Sequence, residues 1–504
     1  MESTMAASSD KGNMLSLLLG SPAFLLICLL ATLWHFYQYL STPKYNSSFR
    51  NKNGRYIHQI VRNVRYERFS HGKELSREGE QLAGDEPYLI RSGWTRQLVI
   101  SQPEHLKEFY NKDSKDHTKP PHMSLGDGFN RLLGQCLGLQ GGNHWKTMRA
   151  LFDPAFSHSS SVSMIPTFVE EIEKWVRGLG EDSVPTKPSD ERFVRNATEV
   201  CRYLPFRLTA MTVYGEALTE EHYSSLVSLN DLHEQLTFDA FFGKWTVWRW
   251  FNRLPTASKY RMDKFRQEWD EFNLGLIQSA RKNGVPCPAE RIYQGVERNE
   301  MSKTEFLQTM DELLFTNIDV TSAVIAFLLL NTAKNPSFQS ALRAEIALQK
   351  AQNPGNRKDY LLKQDTLLHF AAMESVRMSP ALWFSLPERT AQDKLIGGFF
   401  VPARTAVVID WRRLNTSAAI WGADGEEFRP ERFANLSASQ YRYGLLRFGM
   451  GRGRCLGKNI ADMMLKLSLL TVVERFVVRP RDGEVFRRDT FTVTSQSEIE
   501  FERI

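Results

Sequence analysis

The sequence predicts a mainly α-helical fold with a small β portion, carried behind one N-terminal transmembrane helix. Three features point that way. An uncharged apolar stretch lies near the amino terminus, and apolar residues at three- and four-residue spacing recur through the middle of the chain. Short β-prone runs occur at residues 87–100 and return near the C-terminus, as in 491–504.

The apolar stretch runs from Met14 to Trp34, MLSLLLGSPAFLLICLLATLW, without a charge. About 20 such residues cross the hydrocarbon core of a bilayer. The stretch exceeds the roughly 7–15 apolar residues of a secretory signal and no small-x-small cleavage site follows, so an anchor is favoured over a cleaved leader. Gly20 and Pro22 are tolerated inside bilayers. Lys44, Arg50, Lys52, Arg55, Arg62 and Arg65 follow the span, whereas Lys11 precedes it together with Glu2 and Asp10. The positive-inside rule then leaves residues 1–13 lumenal and the large domain cytosolic, as in a single-pass protein of the endoplasmic reticulum membrane. Residues 35–56 are read as a linker, polar and rich in Pro, Asn and Gly from 41 onward, and 57–504 as one catalytic domain.

In that domain PYLIRSGWTRQLVI, 87–100, reads as a hairpin around Ser92-Gly93, and Pro103 opens a helix. From Met301 to Ala333 a long helical run carries Leu307, Met310, Leu314, Ile318, Ser322 and Ile325 on one side and stops before Asn335-Pro336. FFGKWTVWRWF, 241–251, is either a buried helix face or a surface for substrate entry or membrane contact. The length of 504 residues, 42% of them hydrophobic, is enough to enclose a buried cofactor. A net charge of +6 is too diffuse to argue for nucleic acid, though it suits an acidic protein partner. Five cysteines without CxxC or paired spacing suggest neither a disulfide framework nor zinc, and a reducing compartment fits.

The most informative stretch is FGMGRGRCLG, Phe448 to Gly457, followed by an apolar helical run. Crowded glycines let backbone approach a large flat ligand, and a thiolate facing iron donates electron density that favours O–O cleavage. A phosphate loop would need Gly at Arg452 and Ser or Thr at Asn459, and a dinucleotide loop Gly at Arg454, so both fail. A buried structural cysteine remains open on this stretch alone.

Other segments narrow the reading. Phe448, Gly451, Cys455 and Gly457 stand in the spacing F-x-x-G-x-x-x-C-x-G, Glu374 and Arg377 in E-x-x-R, and Arg432 in PERF. In this order the set resembles the cytochrome P450 family over roughly residues 85 to 501. The resemblance implies the P450 fold, haem b with Cys455 as axial iron ligand, and a charge network of Glu374, Arg377 and Arg432 behind it. Trp145 and Arg149 match a W-x-x-x-R helix whose side chains hold haem propionates in the family, and Arg389 falls where another propionate arginine is common. Arginine's planar fork suits such carboxylates. The family usually has a cation two residues before the cysteine, where this chain has Gly453, so Arg454 or Arg452 is expected to substitute.

Reducing dioxygen consumes protons, and Asp319 fits the acid of the family's distal helix. Val320 stands where a threonine is usual, and the hydroxyl comes only at Thr321; Asp319 and Thr321 are the candidate catalytic residues. No nucleotide fingerprint follows a strand, which implies NADPH-cytochrome P450 reductase as electron donor. NIDVTS and FGMGRGRCLGK look like fungal secondary-metabolite members that oxidise diketopiperazine-type, gliotoxin-like mycotoxins. The expected activity is therefore monooxygenation of a small organic substrate at a membrane. A haem-thiolate oxidase doing dehydrogenation, coupling or ring expansion is one alternative, and a non-catalytic haem-binding membrane protein is another.

Overall fold

The computed structural model describes residues 22–41, 49–180, 192–481, 483, 485–487 and 490–504. Residues 14–21 of the expected span lie outside them; from Pro22 a helix runs to Ser41. It presents Phe24, Leu26, Ile27, Leu29, Leu30, Leu33 and Trp34 exposed. It continues past Trp34 because no glycine or proline interrupts the chain before Pro43.

The β portion of the described residues forms three sheets. Five strands order β1-β2-β3-β8-β5: His58–Asn63, Tyr88–Ser92, Thr95–Ile100, Ala406–Ile409 and Glu388–Arg389. Tyr88–Ser92 and Thr95–Ile100 form the hairpin, with Ser92 opposite Thr95. Gly93 takes the positive φ of 61° that the two-residue turn needs. β8 then joins β3 in parallel, and β5 joins β8 antiparallel through Arg389 opposite Ala406. A second sheet orders β4-β10-β9: Arg192–Asn196, Glu498–Arg503 and Phe476–Pro480. Phe193 and Phe501 stack there at 5.3 Å. Lys394–Ile396 (β6) and Phe399–Val401 (β7) make a small separate hairpin.

Helices make up the rest and set the core. Pro103 occupies the first position of Pro103–Tyr110, where a missing N–H costs nothing. The long run near 301–333 begins with a capping box, Ser302 accepting from the Glu305 N–H at 3.2 Å while Glu305 accepts from the Ser302 N–H at 2.7 Å. It is not one helix but two, Lys303–Leu313 and Phe315–Ala333. At Leu314 ψ falls to −77° and its N–H is shared between the carbonyls of Met310 and Asp311 at 3.1 and 3.2 Å, a tightened turn that re-aims the second helix. Among the described residues this 303–333 stretch is the one long and apolar enough to cross a bilayer, but 72% of its apolar window is buried inside the protein. It is a core element. Phe315–Ala333 packs against Leu367–Met378 and Lys458–Arg475, and the latter buries every residue from Met463 to Val473. These three helices are the frame on which the site is built.

The aromatic stretch divides between its two readings. Phe241, the penultimate residue of Glu220–Phe242, is buried and stacks on Phe491 at 4.6 Å. Past Gly243 the chain leaves the helix, and Trp245 and Trp250 are 60% and 54% exposed.

Candidate active site

The segment leading to Cys455 is pinned by Asn415, which accepts from the Leu446 N–H at 2.9 Å and donates to the Leu446 carbonyl at 3.3 Å. Phe448, Gly449 and Gly451 then take positive φ of 61°, 73° and 59°. That sequence of turns folds the loop back so that the Cys455 N–H donates to the Phe448 carbonyl at 2.7 Å. A Cβ at Gly449 would stand 3.0 Å from the Gly453 carbonyl, a tight contact that adds to the strain of a positive φ for any larger residue there. Phe448 adopts the left-handed region without glycine's freedom, a cost of about 1–2 kcal/mol that the surrounding structure holds in place. Arg447 lies 4.9 Å over the Phe448 ring and donates to Asp462 on the next helix at 2.8 Å. The Cys455 side chain is accessible. Protein packed around it nonetheless desolvates the thiol and pushes its pKa up, while the Gly457 N–H acts the other way. A bound cation would reverse that balance towards the thiolate.

Behind the loop, Glu374 and Arg377 share one face of Leu367–Met378 and are fully buried. Arg377 donates to the two Glu374 oxygens at 2.7 Å each, to the carbonyls of Asn415 at 2.9 Å and Glu427 at 3.1 Å, and to that of Gly425. All five of its donors are thereby used. Arg432, from the Pro430–Ala434 turn, donates to Glu374 at 2.9 Å and to the Asp424 carbonyl at 3.0 Å. The Arg429 N–H adds a fourth donor to Glu374, at 2.9 Å. The pair Glu374–Arg377 thus ties a helix to the whole 415–432 segment.

Arg149 sits on Gly142–Phe156 and reaches the cysteine loop directly, donating to the Arg454 carbonyl at 3.1 Å. It also pairs with Asp153 at 2.5 Å and lies 6.0 Å from the half-buried Trp145 ring. Arg454 takes part through its carbonyl while its side chain is exposed. Arg389 closes β5, and its backbone bridges to Thr118, bringing the 117–119 segment alongside.

On Phe315–Ala333, Asp319 is partly exposed and faces Arg202 at 3.8 Å; Arg202 is also paired with Glu234. Thr321 donates to Asn317 at 3.5 Å, and Val320 packs against the core. Asp319 lines a cavity of about 220 Å³ together with Phe242, Phe315, Ile318, Thr490 and Phe491. The sequence reading missed several polar groups near by. His233 and Asp311, both almost fully buried, stand 2.8 Å apart at the kink. Glu312 accepts from the Gly138 N–H at 3.1 Å, burial pushes its carboxyl up, and its charge bears on Cys455. His117 and Glu388, 2.7 Å apart, lie beside the Cys455 loop. None carries a motif; each becomes visible only when segments far apart in sequence meet.

A single accessible cysteine on a glycine-crowded loop, with the Arg149 guanidinium at its edge, is a donor set for a flat, carboxylate-bearing iron macrocycle, and the residues present fit haem. The comparison with known sequences agrees. The cytochrome P450 family profile matches residues 80–501, so the chain belongs to that family, which implies a haem-iron cofactor, and it is a cytochrome P450 monooxygenase. More particularly, it is similar to cytochrome P450 monooxygenase lepD of Aspergillus flavus, 45% identical over 90% of this chain and 90% of that protein. It is also similar to apdB of Emericella nidulans, 44% identical over 84% and 86%, and to opdB of Penicillium oxalicum, 40% identical over 93% and 92%.

Proposed function

We propose that this chain is a membrane-bound monooxygenase of fungal secondary metabolism that places one oxygen atom from dioxygen into a small organic substrate of diketopiperazine type, the other leaving as water. The observation that carries the reading is the Cys455 loop, folded back on Phe448 and backed by the buried Glu374–Arg377–Arg432 network. Cys455 would ligate the iron of haem b, with Phe448, Gly451 and Gly457 forming the loop around it and Trp145, Arg149, Arg389 and Arg454 at its carboxylate edge. Bound there, haem supplies dioxygen binding and reductive O–O cleavage, which a thiolate ligand favours. Electrons would come from NADPH-cytochrome P450 reductase, since the chain carries no nucleotide loop of its own.

The protein's part is positioning and proton supply. The cavity beside Asp319 would receive the substrate between Phe242, Phe315 and Phe491. Asp319, restrained by Arg202, would hand protons inward with Thr321, because Val320 has no hydroxyl to relay them. Exposed apolar residues between Phe24 and Trp34, with Trp245 and Trp250, support attachment to the endoplasmic reticulum membrane with the domain cytosolic. Similarity to monooxygenases of Aspergillus and Penicillium supports the fungal biosynthetic setting.

The test is turnover of a panel of cyclic dipeptides with reductase, NADPH and labelled dioxygen, alongside the reduced carbon monoxide spectrum. A thiolate-type spectrum and labelled product support the proposal; an unlabelled oxidised product favours the second reading, non-insertion oxidation, which Val320 beside Asp319 supports. Neither spectrum nor turnover would refute both.

A further inference from the structure

A cation stands at the Cys455 loop in a place that the local sequence leaves empty, and its meaning rests on the haem reading above. Gly453, two residues before Cys455, has no side chain, and another segment fills the space where one would begin. A Cβ there would lie 3.6 Å from Nζ of Lys119 and 3.5 Å from Oε2 of Glu388. Backbone pairing brings Lys119 in: the Arg389 N–H donates to the Thr118 carbonyl at 2.7 Å and the Thr118 N–H to the Arg389 carbonyl at 3.3 Å.

The surroundings of Lys119 hold it in place through one carboxylate. Its side chain is 21% exposed, and Glu388 lies 3.6 Å away, beyond hydrogen-bonding distance. Glu388 is engaged elsewhere, since Nδ1 of His117 lies 2.7 Å from its Oε1. His117 is held in turn by Asp113 at 3.2 Å, and Asp113 by Lys394. Burial alone would push the Glu388 carboxyl up; the His117 hydrogen bond and the Lys119 charge bring it below its ordinary value, so it stays anionic and keeps the ammonium in position. An ammonium carries three N–H donors, and Glu388 is the one carboxylate paired with Lys119 among the described residues, which leaves donors for a further acceptor. The neighbouring Arg454 is exposed.

We propose that Lys119 receives a haem carboxylate at the Cys455 loop, standing where a side chain on residue 453 would otherwise stand. An ammonium and a carboxylate in such a partly desolvated place form a charge-assisted bond. Neutralising that carboxylate also favours the ferrous state, because an uncompensated negative charge near iron stabilises the more positive oxidation state.

The experiment uses the full-length, haem-loaded chain and the variants Lys119→Met, Lys119→Arg and Lys119→Met/Gly453→Arg. Gly453 has no positive φ and a Cβ there would make ordinary van der Waals contacts, so the backbone accepts a side chain at this position. The readouts are the rate of haem transfer to apomyoglobin and the ferric–ferrous midpoint potential. Lys119→Met should lose haem about tenfold faster, which is about 1.4 kcal/mol, and its potential should fall. Lys119→Arg and the double variant should return both towards the parent. Equal rates and potentials in the parent and Lys119→Met overturn the proposal, as does a double variant no better than Lys119→Met. If Lys119→Met fails to accumulate, haem-loaded Lys119→Met/Gly453→Arg supports the assignment and its absence overturns it. A parent chain without a thiolate-type carbon monoxide spectrum would instead overturn the haem reading.

Discussion

Replacing Glu374 with alanine removes one carboxylate that serves four donors. Arg377 loses two bonds of 2.7 Å, Arg432 loses one of 2.9 Å, and the Arg429 N–H loses one of 2.9 Å. The two guanidiniums then stay almost completely buried, at 0% and 9% side-chain exposure, without the charge between them. Breaking a buried pair in this way costs about 3–5 kcal/mol, against a total stability of about 5–15 kcal/mol for a folded domain. Arg377→Ala should cost at least as much, because it strips a donor from the carbonyls of Asn415, Gly425 and Glu427 as well as from Glu374. Arg432→Ala should cost less, since Glu374 keeps both Arg377 contacts. The assay is the urea midpoint of detergent-solubilised protein, followed by haem absorbance and by tryptophan emission. The order expected is Arg377→Ala, Glu374→Ala, Arg432→Ala, from least to most stable. A Glu374→Ala midpoint within error of the parent would refute the reasoning, for it would mean that the network bears no load in the fold.

Cys455→Ser should abolish the thiolate-type carbon monoxide spectrum and activity while leaving far-ultraviolet circular dichroism close to the parent's; an active variant would remove Cys455 from the iron. Asp319→Ala should slow product formation and divert NADPH to hydrogen peroxide, whereas Val320→Thr should stay within about tenfold of the parent, about 1.4 kcal/mol. Measured coupling that rises sharply in Val320→Thr and is unchanged in Asp319→Ala would reject the proton route. Deleting residues 1–41 should release much of the protein from microsomes with its haem retained, and complete carbonate extraction of the intact chain would argue against a span. Burial lowers His105 and His369 to about 4 each. A depressed histidine leaves the folded state with fewer protons than the unfolded one, so its contribution is complete above about pH 6.5 and lost as pH falls towards 4, by up to about 1.4 kcal/mol per pH unit for each. Urea midpoints should therefore drop between pH 7 and pH 5, with a shallower slope in His105→Leu; an unchanged slope would show that His105 charges freely in the folded protein.

Legibility in the sequence depends on how far apart the cooperating residues stand. The Cys455 loop could be read directly, because glycines at 449 and 451 and the cysteine they frame lie within one turn-rich stretch. Local spacing likewise put Glu374 and Arg377 on one helix face, and the Ser92-Gly93 turn sat between two alternating runs. The break at Leu314 could not be read in this way: apolar spacing runs straight through it, and the kink shows only in backbone torsion and a shared hydrogen bond. The aromatic stretch at 241–251 was ambiguous because composition does not say which side of the chain meets the core; packing on Phe491 buries Phe241 and leaves Trp245 outside.

The sequence by itself determined the family, the helical class and the residues that local periodicity can pair. Only the tertiary structure decided which charges meet across the fold. Arg432 reaches Glu374 from 58 residues away, Arg202 faces Asp319, and Lys119 arrives beside Gly453 through a strand-like bridge at Arg389. The physical reason is that a local motif is held by backbone geometry over a few residues, whereas a buried charge finds its partner through the packing of whole helices, whose register a linear pattern does not contain.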